Sequence, residues 1–458
     1  MIPAVEVGEA RVFLGDCREV LKALPDNSVD SVVTDPPYEL GFMGKKWDST
    51  GIAYDVSVWE ECLRVLKPGG HVLAFGGSRT FHRMAVAIED AGFEIRDSIA
   101  WISNKTFPKS LNVSKAIDKK LGAEREVVGS KLGLPGYHLS VSDGGQALGK
   151  GVSSSTLKTR LAASQITAPG STEAKQWDGW GTGLKNVVEP IVMGRKPLVG
   201  TVAANVLEHG VGGLNIDASR VAADMSEFVS ATGKPRSGMG HAHGFAMGDG
   251  YGGENANPPN ALGRWPANVI LDEYSAGLLD EQSGVTASKS SNRGELLTGQ
   301  AGGLAGEIPN YSPGTNTVRG HNDSGGASRF FYCAKASKRD RNEGLDGLEK
   351  KDVDSGNYGI NSDSSQAARG RNPDKQEYVA QNFHPTVKPT ALMRYLIKLV
   401  TPAGGTVLDP FTGSGSTGKA ALLDGYKFVG VELTEEYLPI IEGRLTWAQE
   451  NTDTGTLF

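Results

Sequence analysis

Residues 406–432 constrain the fold more than any other stretch of the chain. An apolar run, Val407-Leu408, ends in Asp409-Pro410-Phe411, and a glycine-rich turn, Thr412–Gly418, opens into a helix over Lys419–Leu423. Asp424-Gly425 ends that helix, and a second apolar run, Phe428–Val431, ends in Glu432. Strand, glycine turn, helix, strand and acid in this order specify a parallel βαβ unit. Gly413 and Gly415 let backbone approach a ligand where a side chain would clash. An acidic residue about 20 positions after such a turn is placed to meet ribose hydroxyls. The spacing therefore fits an adenosine-containing ligand. A phosphate-binding loop of the G-x4-G-K-[ST] kind is excluded, because the turn lacks that spacing and Ala420 follows Lys419.

The first 130 residues continue the alternation. Strands are expected at Arg11–Leu14, Val29–Val33, Val72–Phe75 and Glu94–Ile102, and helices up to Leu24, over Trp59–Leu66 and over Phe81–Ala91. Lys67-Pro68-Gly69-Gly70 reads as the stop after the second helix. From 129 to 328 the pattern dissolves into Gly, Ser, Asn and Thr, notably at 140–155, 237–257 and 288–328. Val187–Lys196 and Arg264–Asp272 are islands of order within it. A loop-rich insertion carrying function is the expected reading. Order returns at Arg329–Ala334, a strand candidate, and at the helix carrying Leu392, Leu396, Leu399 and Val400. The expected organisation is 1–128, an insertion at 129–328, a second core half at 329–445 and a frayed tail at 446–458.

Composition narrows the class. Glycine fills 61 of 458 positions, so loops and tight turns are many. Cys17, Cys62 and Cys333 show no paired spacing, which argues against a disulfide framework or a cysteine metal site and for a reducing, cytoplasmic setting. No metal site is expected. The N-terminus lacks the pattern of a secretory signal, and no apolar run approaches the roughly 20 residues that span a bilayer. Net charge is −6 overall, yet residues 101–200 hold 14 Lys/Arg against 7 Asp/Glu. A local basic region is what phosphate contact requires; a merely solvated face is the competing reading.

Asp35-Pro36-Pro37-Tyr38 closes the apolar run Val29–Val33. A carboxylate and a neighbouring carbonyl form a pair of acceptors that can meet the two hydrogens of an aromatic amine. Such a nitrogen is a poor nucleophile while its lone pair is delocalised, and acceptors aimed at its N–H groups favour a more tetrahedral, reactive form. Two prolines hold the Pro36 carbonyl rigidly. Tyr38 is suited to stack on an extruded base, and a strand-ending turn is the plain alternative.

Asp35–Tyr38, the run His384-Pro385-Thr386-Val387-Lys388-Pro389, Asp409–Gly415 and Glu432 together resemble the signature set of the amino-group DNA methyltransferases, N6-adenine or N4-cytosine. The tetrapeptide precedes the glycine turn by more than 370 positions. That order resembles the β-type, circularly permuted members, with a target recognition region between the halves; Val187–Lys196 and Arg329–Lys338 are similar to segments of phage and prophage members. The resemblance spans roughly 10–110 and 329–445. It implies an α/β, Rossmann-like fold with a mixed, mostly parallel seven-stranded sheet, S-adenosylmethionine as methyl donor and double-stranded DNA as substrate. It is compatible with a cognate restriction enzyme as partner and with a dimer. It assigns Asp35, Pro36, Pro37 and Tyr38 to catalysis, with Asp35 also near the cofactor. Phe411, Gly413 and Gly415 match the cofactor loop, with Asp409 near the methionine end. Glu432 matches the ribose ligand, Asp16 the carboxylate near the cofactor's adenine, and His384, Thr386 and Lys388 the lining of the methionine moiety. Members acting on adenine mostly carry Asp where Asp35 stands, and N4-cytosine enzymes often carry Ser, so adenine is expected.

Other readings are weaker. None of the three cysteines follows a proline, which disfavours C5-cytosine chemistry. Protein-glutamine methyltransferases place the cofactor loop first and carry Asn in place of Asp35. RNA methylation and a DNA-binding relative without chemistry remain as alternatives, the latter opposed by the intact Asp35, Tyr38, Gly413 and Glu432. Aromatics beside basic residues in Arg329–Arg339 suit nucleic-acid contact or a sheet edge equally. Trp177, Trp180 and Trp265 are expected as small-core anchors in the insertion, with base contact as the lesser alternative.

Overall fold

A computed structural model describes residues 1–40, 46–103, 110–130, 164–223, 263–287, 291–292, 318–319, 323–335, 338–349, 351–353 and 378–452. The glycine- and serine-rich stretches 140–155 and 237–257 lie outside these residues. Contacts divide the chain into two compact units, Met1–Asn104 with Val188–Leu348 and Thr386–Phe458, and Lys105–Val187 with Glu349–Pro385. The span 129–328 is therefore shared between the units.

In the first unit ten strands form one sheet. They are β1 (Val5–Val7), β2 (Ala10–Leu14), β3 (Val29–Thr34), β4 (Leu66–Phe75), β5 (Glu94–Ile102), β6 (Val188–Arg195), β7 (Val269–Asp272), β8 (Tyr332–Ala334), β9 (Thr406–Asp409) and β10 (Lys427–Glu432). Their order across the sheet is β1-β2-β10-β9-β3-β4-β6-β5-β7-β8. Pairing is parallel except for the β1–β2 hairpin and for β6, which runs antiparallel to both β4 and β5. The α/β architecture with a mixed, mostly parallel sheet is as expected, but the sheet has ten strands rather than seven. The hairpin strand β1 extends one edge, and β7 and β8 extend the other.

Every residue of β3 is buried, as a central parallel strand with both faces covered requires. Alternation along the strands feeds two cores. Val33, Leu73 and Phe75 join the apolar faces of helices Thr390–Val400 and Leu438–Glu450. Val32, Val72 and Ala74 join helices Val56–Val65 and Phe81–Asp90 on the other face. The chain leaves β9 toward β10 on one side, while β3 and β4 lie on the other. The sheet order thus reverses between β9 and β3, and ligands of open α/β sheets bind beyond the carboxyl ends of strands at such a switch point.

Lys67–Gly70 does not stop the chain; it lies within β4, where Gly69 at φ 81° donates its N–H to the Lys196 carbonyl at 3.1 Å. Of the two segments similar to phage and prophage members, the first gives Val188–Arg195 in the middle of the sheet and the second Tyr332–Ala334 at its edge, after a 3-10 turn over Ala327–Phe330. The described part of the tail is not frayed at its start: the helix runs to Glu450 with Ala448 fully buried, because Ile441, Leu445 and Ala448 recur on one face, and residues 453–458 lie outside the described residues.

The second unit is organised around a buried carboxylate. Asp118, on the helix Val113–Leu121, accepts hydrogen bonds from the Ser171 hydroxyl at 2.6 Å and from the Ser171 and Gly170 amides at 3.0 Å each, and pairs with Arg125. Ser171 in turn caps the helix Thr172–Gln176. Trp177 and Trp180 are 42% and 59% exposed, and Trp265 of the first unit is 65% exposed, so none of the three is the core anchor expected. Trp265 is instead overlaid by the Arg220 guanidinium, 5.3 Å from its ring centre. Among the described residues no helix is long and apolar enough to cross a membrane.

Candidate active site

Parallel pairing aligns the carboxyl ends of β3, β9 and β10, and each carries an acid there: Asp35 just after β3, Asp409 ending β9 and Glu432 ending β10. Each is held differently.

Asp409 is 2% exposed, and protein donors take up its carboxylate. Oδ1 accepts from the Thr34 hydroxyl at 2.6 Å and the Phe411 amide at 3.0 Å, and Oδ2 from the Thr417 hydroxyl at 2.6 Å. Burial pushes its carboxyl up to about 6, against the pull of these bonds. Asp409 thereby ties the end of β3 to the first turn of the helix Ser416–Leu423.

Glu432 receives the Gly413 amide at 2.7 Å and the Thr434 amide at 2.8 Å. Burial raises its carboxyl, and those amides oppose the rise. The turn between β9 and its helix passes through Gly413 at φ 55° and Gly415 at φ 74°, backbone that side chains disfavour. A Cβ on Gly415 would also come within 3.4 Å of Ile441 Cα. Beneath the turn, Arg444 is fully buried and donates Nη1 to the Ser414 carbonyl at 2.8 Å and to the Ser414 and Ser416 hydroxyls at 3.0 Å each. Burial draws its guanidinium down to about 10.

Asp35 is the most chemically exposed of the three acids. Its Oδ2 accepts from Lys388 Nζ at 2.7 Å, while Oδ1 is buried with no hydrogen-bond partner among the described residues. A buried acceptor without a donor is costly, and such groups gather where a ligand completes the bonding. Lys388 Nζ also donates to the Tyr38 hydroxyl at 3.1 Å and lies 3.3 Å from Glu189 Oε2. The Tyr38 hydroxyl donates to Glu189 at 2.8 Å. Burial raises the Asp35 carboxyl, and the Lys388 ammonium opposes it. Burial also disfavours the charged ammonium, but Asp35 and Glu189 outweigh it and Lys388 is raised. A second carboxylate, Glu189, shares the cation.

Pro36 is buried and Pro37 half-buried beside Asp35. The Tyr38 carbonyl accepts from the Thr80 hydroxyl at 2.8 Å, which anchors the far end of the tetrapeptide. Phe411 is half-buried against the core cluster on the Val56–Val65 side. Asp16 follows β2, whose Leu14 pairs with Glu432. Its carboxylate caps the helix Cys17–Lys22 and pairs with Arg18 at 2.6 Å, and that hydrogen-bonded partner holds it below the usual carboxylate range. Thr386 is exposed in the first unit. His384 belongs to the second unit, where its amide donates to Asn382 Oδ1 at 3.2 Å. Glu189, Thr34, Thr417 and Arg444 were not anticipated. Glu189 is a charged residue inside an apolar run, which is the signal that would have marked it. Among the described residues no group of three or more His, Cys, Asp or Glu is arranged to hold a metal ion.

The DNA methylase model of the N6/N4 methyltransferases matches residues 29–126 and 311–443, about half of the chain. The chain belongs to this family. The two matched segments carry Asp35–Tyr38 and Asp409–Glu432, so the family's own pattern covers both sides of the site. The type II methyltransferase M.ScaI of Streptomyces caespitosus is 42% identical over 71 residues, 16% of this chain and 23% of that protein. The DNA adenine methyltransferase YhdJ of Escherichia coli K12 is 47% identical over 55 residues, 12% of this chain and 19% of that protein. The matches to these relatives span well under two thirds of the relatives' own lengths. Among solved structures, the cytosine-N4-specific PvuII DNA methyltransferase aligns over 96% of this chain and 88% of its own, at 12% identity and a TM-score of 0.39.

Asp409 yields a pH prediction. Its folded value of about 6 exceeds the ordinary 3.8, so the folded state binds more protons between those values. Its contribution to stability is full below about 4 and is lost as pH rises through about 6. Denaturant unfolding of the wild type and Asp409→Asn should therefore diverge, the wild type losing roughly 2 to 3 kcal/mol relative to the variant between pH 4 and pH 7. A difference that does not change with pH would contradict the assigned environment.

Proposed function

We propose that the chain is a site-specific DNA methyltransferase that transfers a methyl group from S-adenosylmethionine to N6 of adenine after base flipping. The observation that carries the reading is the free buried oxygen of Asp35, one strand away from a glycine turn closed by Glu432.

The residues present fit the methyl donor. Glu432 would hold the ribose hydroxyls, and Gly413 and Gly415 would admit the donor to the backbone of the turn. Asp16, at the neighbouring strand end, would meet its adenine. Thr386, Lys388 and His384 are assigned to the methionine moiety on the family resemblance alone. Bound there, S-adenosylmethionine supplies an electrophilic methyl group. Asp35 Oδ1 and the Pro36 carbonyl accept the two amino hydrogens of the target base and fix the nitrogen for in-line attack. With the donor bound, the Asp35 carboxylate would face the positive charge that develops on the nitrogen as the methyl group passes to it, and a preorganised carboxylate there would stabilise that charge. The excess proton then leaves to solvent. Lys388 opposes the rise that burial imposes on the Asp35 carboxyl and covers one face of the Tyr38 ring, 5.2 Å from its centre, so base stacking falls to the other face. Positioning supplies most of the acceleration.

Asp35 supports adenine over cytosine. The catalytic segment before the cofactor turn supports the β-type, permuted order, and the phage- or prophage-like assignment rests on resemblance. A restriction enzyme of matching specificity is compatible with the reading.

Incubation with unmethylated genomic DNA and isotope-labelled S-adenosylmethionine, followed by nucleoside mass spectrometry, tests the proposal. Label should appear in N6-methyladenine. Label in N4-methylcytosine would overturn the choice of base, and absence of label from every nucleoside would overturn the activity. Gly413→Val should weaken donor binding by about tenfold or more in calorimetry, since it forces a β-branched residue into positive φ and fills the approach. Unaltered affinity would refute the placement of the donor on this turn.

A further inference from the structure

Trp177 and Trp180 present an arrangement that the core of the second unit does not explain. The rings meet edge to face, centres 5.1 Å apart and planes at 72°, yet both are largely solvent-exposed. With Gln176 they line an open notch of about 270 Å³, below the roughly 300 Å³ at which drug-sized pockets begin. Apolar aromatic surface left in water is usually covered by a partner.

The mounting is rigid. The Trp180 amide donates to the Trp177 carbonyl at 3.2 Å, and the Trp180 carbonyl accepts from the Val113 amide at 3.0 Å. The next residue, Gly181, bridges to Asn112. The preceding helix Thr172–Gln176 is pinned through Ser171 to Asp118. The helix to which this turn is bonded, Val113–Leu121, exposes Lys115, Lys119 and Lys120, while its one acid, Asp118, is buried and paired with Arg125. Lys175 adds a further exposed cation; Glu173 and Asp178 are the acids on the aromatic turn. The whole region from 164 to 187 lies between the two segments that the family model matches. It is therefore additional to the shared chemistry.

We propose that the Trp177–Trp180 notch takes one unstacked base of substrate DNA, with Gln176 at the base edge and Lys115, Lys119 and Lys120 near the phosphates. The proposal rests on the DNA-methylation reading above. Its physical basis is that aromatic faces stack on any exposed base, while lysines add a salt-dependent, sequence-independent attraction. An edge-to-face pair leaves one ring face free for such stacking.

The test measures binding of the full-length chain to labelled DNA across a salt series, using a matched duplex and the same duplex with one bulged base. Wild type should prefer the bulged duplex. Trp177→Ala and Trp180→Ala should each weaken binding to it by about tenfold, with the slope of log K against log salt unchanged. Trp177→Phe, which keeps a stacking face, should retain most of the affinity. The double variant Lys119→Ala, Lys120→Ala should instead reduce the salt slope by about one to two. Donor affinity should be unchanged in all four, which separates the notch from the methyl-transfer site and shows that the variants are folded. Alanine variants that bind bulged DNA within twofold of wild type would overturn the proposal. So would an unchanged DNA affinity with an altered oligomeric state, which would assign the notch to a second copy of the chain. Wild type that binds no DNA would overturn both this proposal and the function on which it rests. Tryptophan-dependent DNA binding without methylation of any nucleoside would sink the methylation reading alone.

Discussion

The constraint on which the first unit turns is the meeting of three acids at the carboxyl ends of adjacent parallel strands. Asp35, Asp409 and Glu432 lie at the switch point because β9 is inserted between β3 and β10. Buried carboxylates in such proximity are tolerable only when each has its own compensation. Two are compensated by neutral donors: hydroxyls and an amide at Asp409, two amides at Glu432. Asp35 alone receives a cation. Lys388 reaches it from a segment 353 positions away, so a charged hydrogen bond joins the two halves of the site alongside the Thr34–Asp409 bond.

That difference in compensation divides labour. Asp409 is bonded on both oxygens and organises the site from below, holding the end of β3 against the helix that begins at Ser416. Glu432 and the glycine turn form a surface of carboxylate and bare backbone suited to a ribose. Asp35 keeps one oxygen without a donor among the described residues, while Glu189 takes the Tyr38 hydroxyl and a share of the Lys388 ammonium. Arg444 plays a comparable part for the turn, bonding Ser414 and Ser416 from within the core while its Nε and Nη2 find no partner among the described residues.

Much of this was legible in the sequence, because the motifs lie at strand ends and strand ends are marked by abrupt changes from apolar to polar residues. Val29–Thr34 before Asp35 and Thr406–Asp409 before the glycines announce themselves in this way. The legible part stops where long-range pairing decides. Nothing local to Val188–Arg195 says that it inserts antiparallel between β4 and β5, and so nothing local brings Glu189 to Tyr38. Gly69 reads as a turn because positive φ is common to turns and bulges; only the partner strand makes it a bulge. Trp177 and Trp180 read as core because large aromatics usually are, and their exposure depends on how Asp118 pins the neighbouring helix.

In the proposed function the unbonded oxygen of Asp35 does the chemistry while the glycine turn and Glu432 hold the donor. Asp35→Asn separates the two most directly, since it keeps the shape and removes the charge. Single-turnover methylation and calorimetric donor binding measured on the same preparation should show the rate falling at least about a hundredfold, as loss of a preorganised charge-stabilising group does, with donor affinity within a few-fold of wild type. A variant that methylates at the wild-type rate, or that loses donor binding in proportion to its rate, would contradict the account.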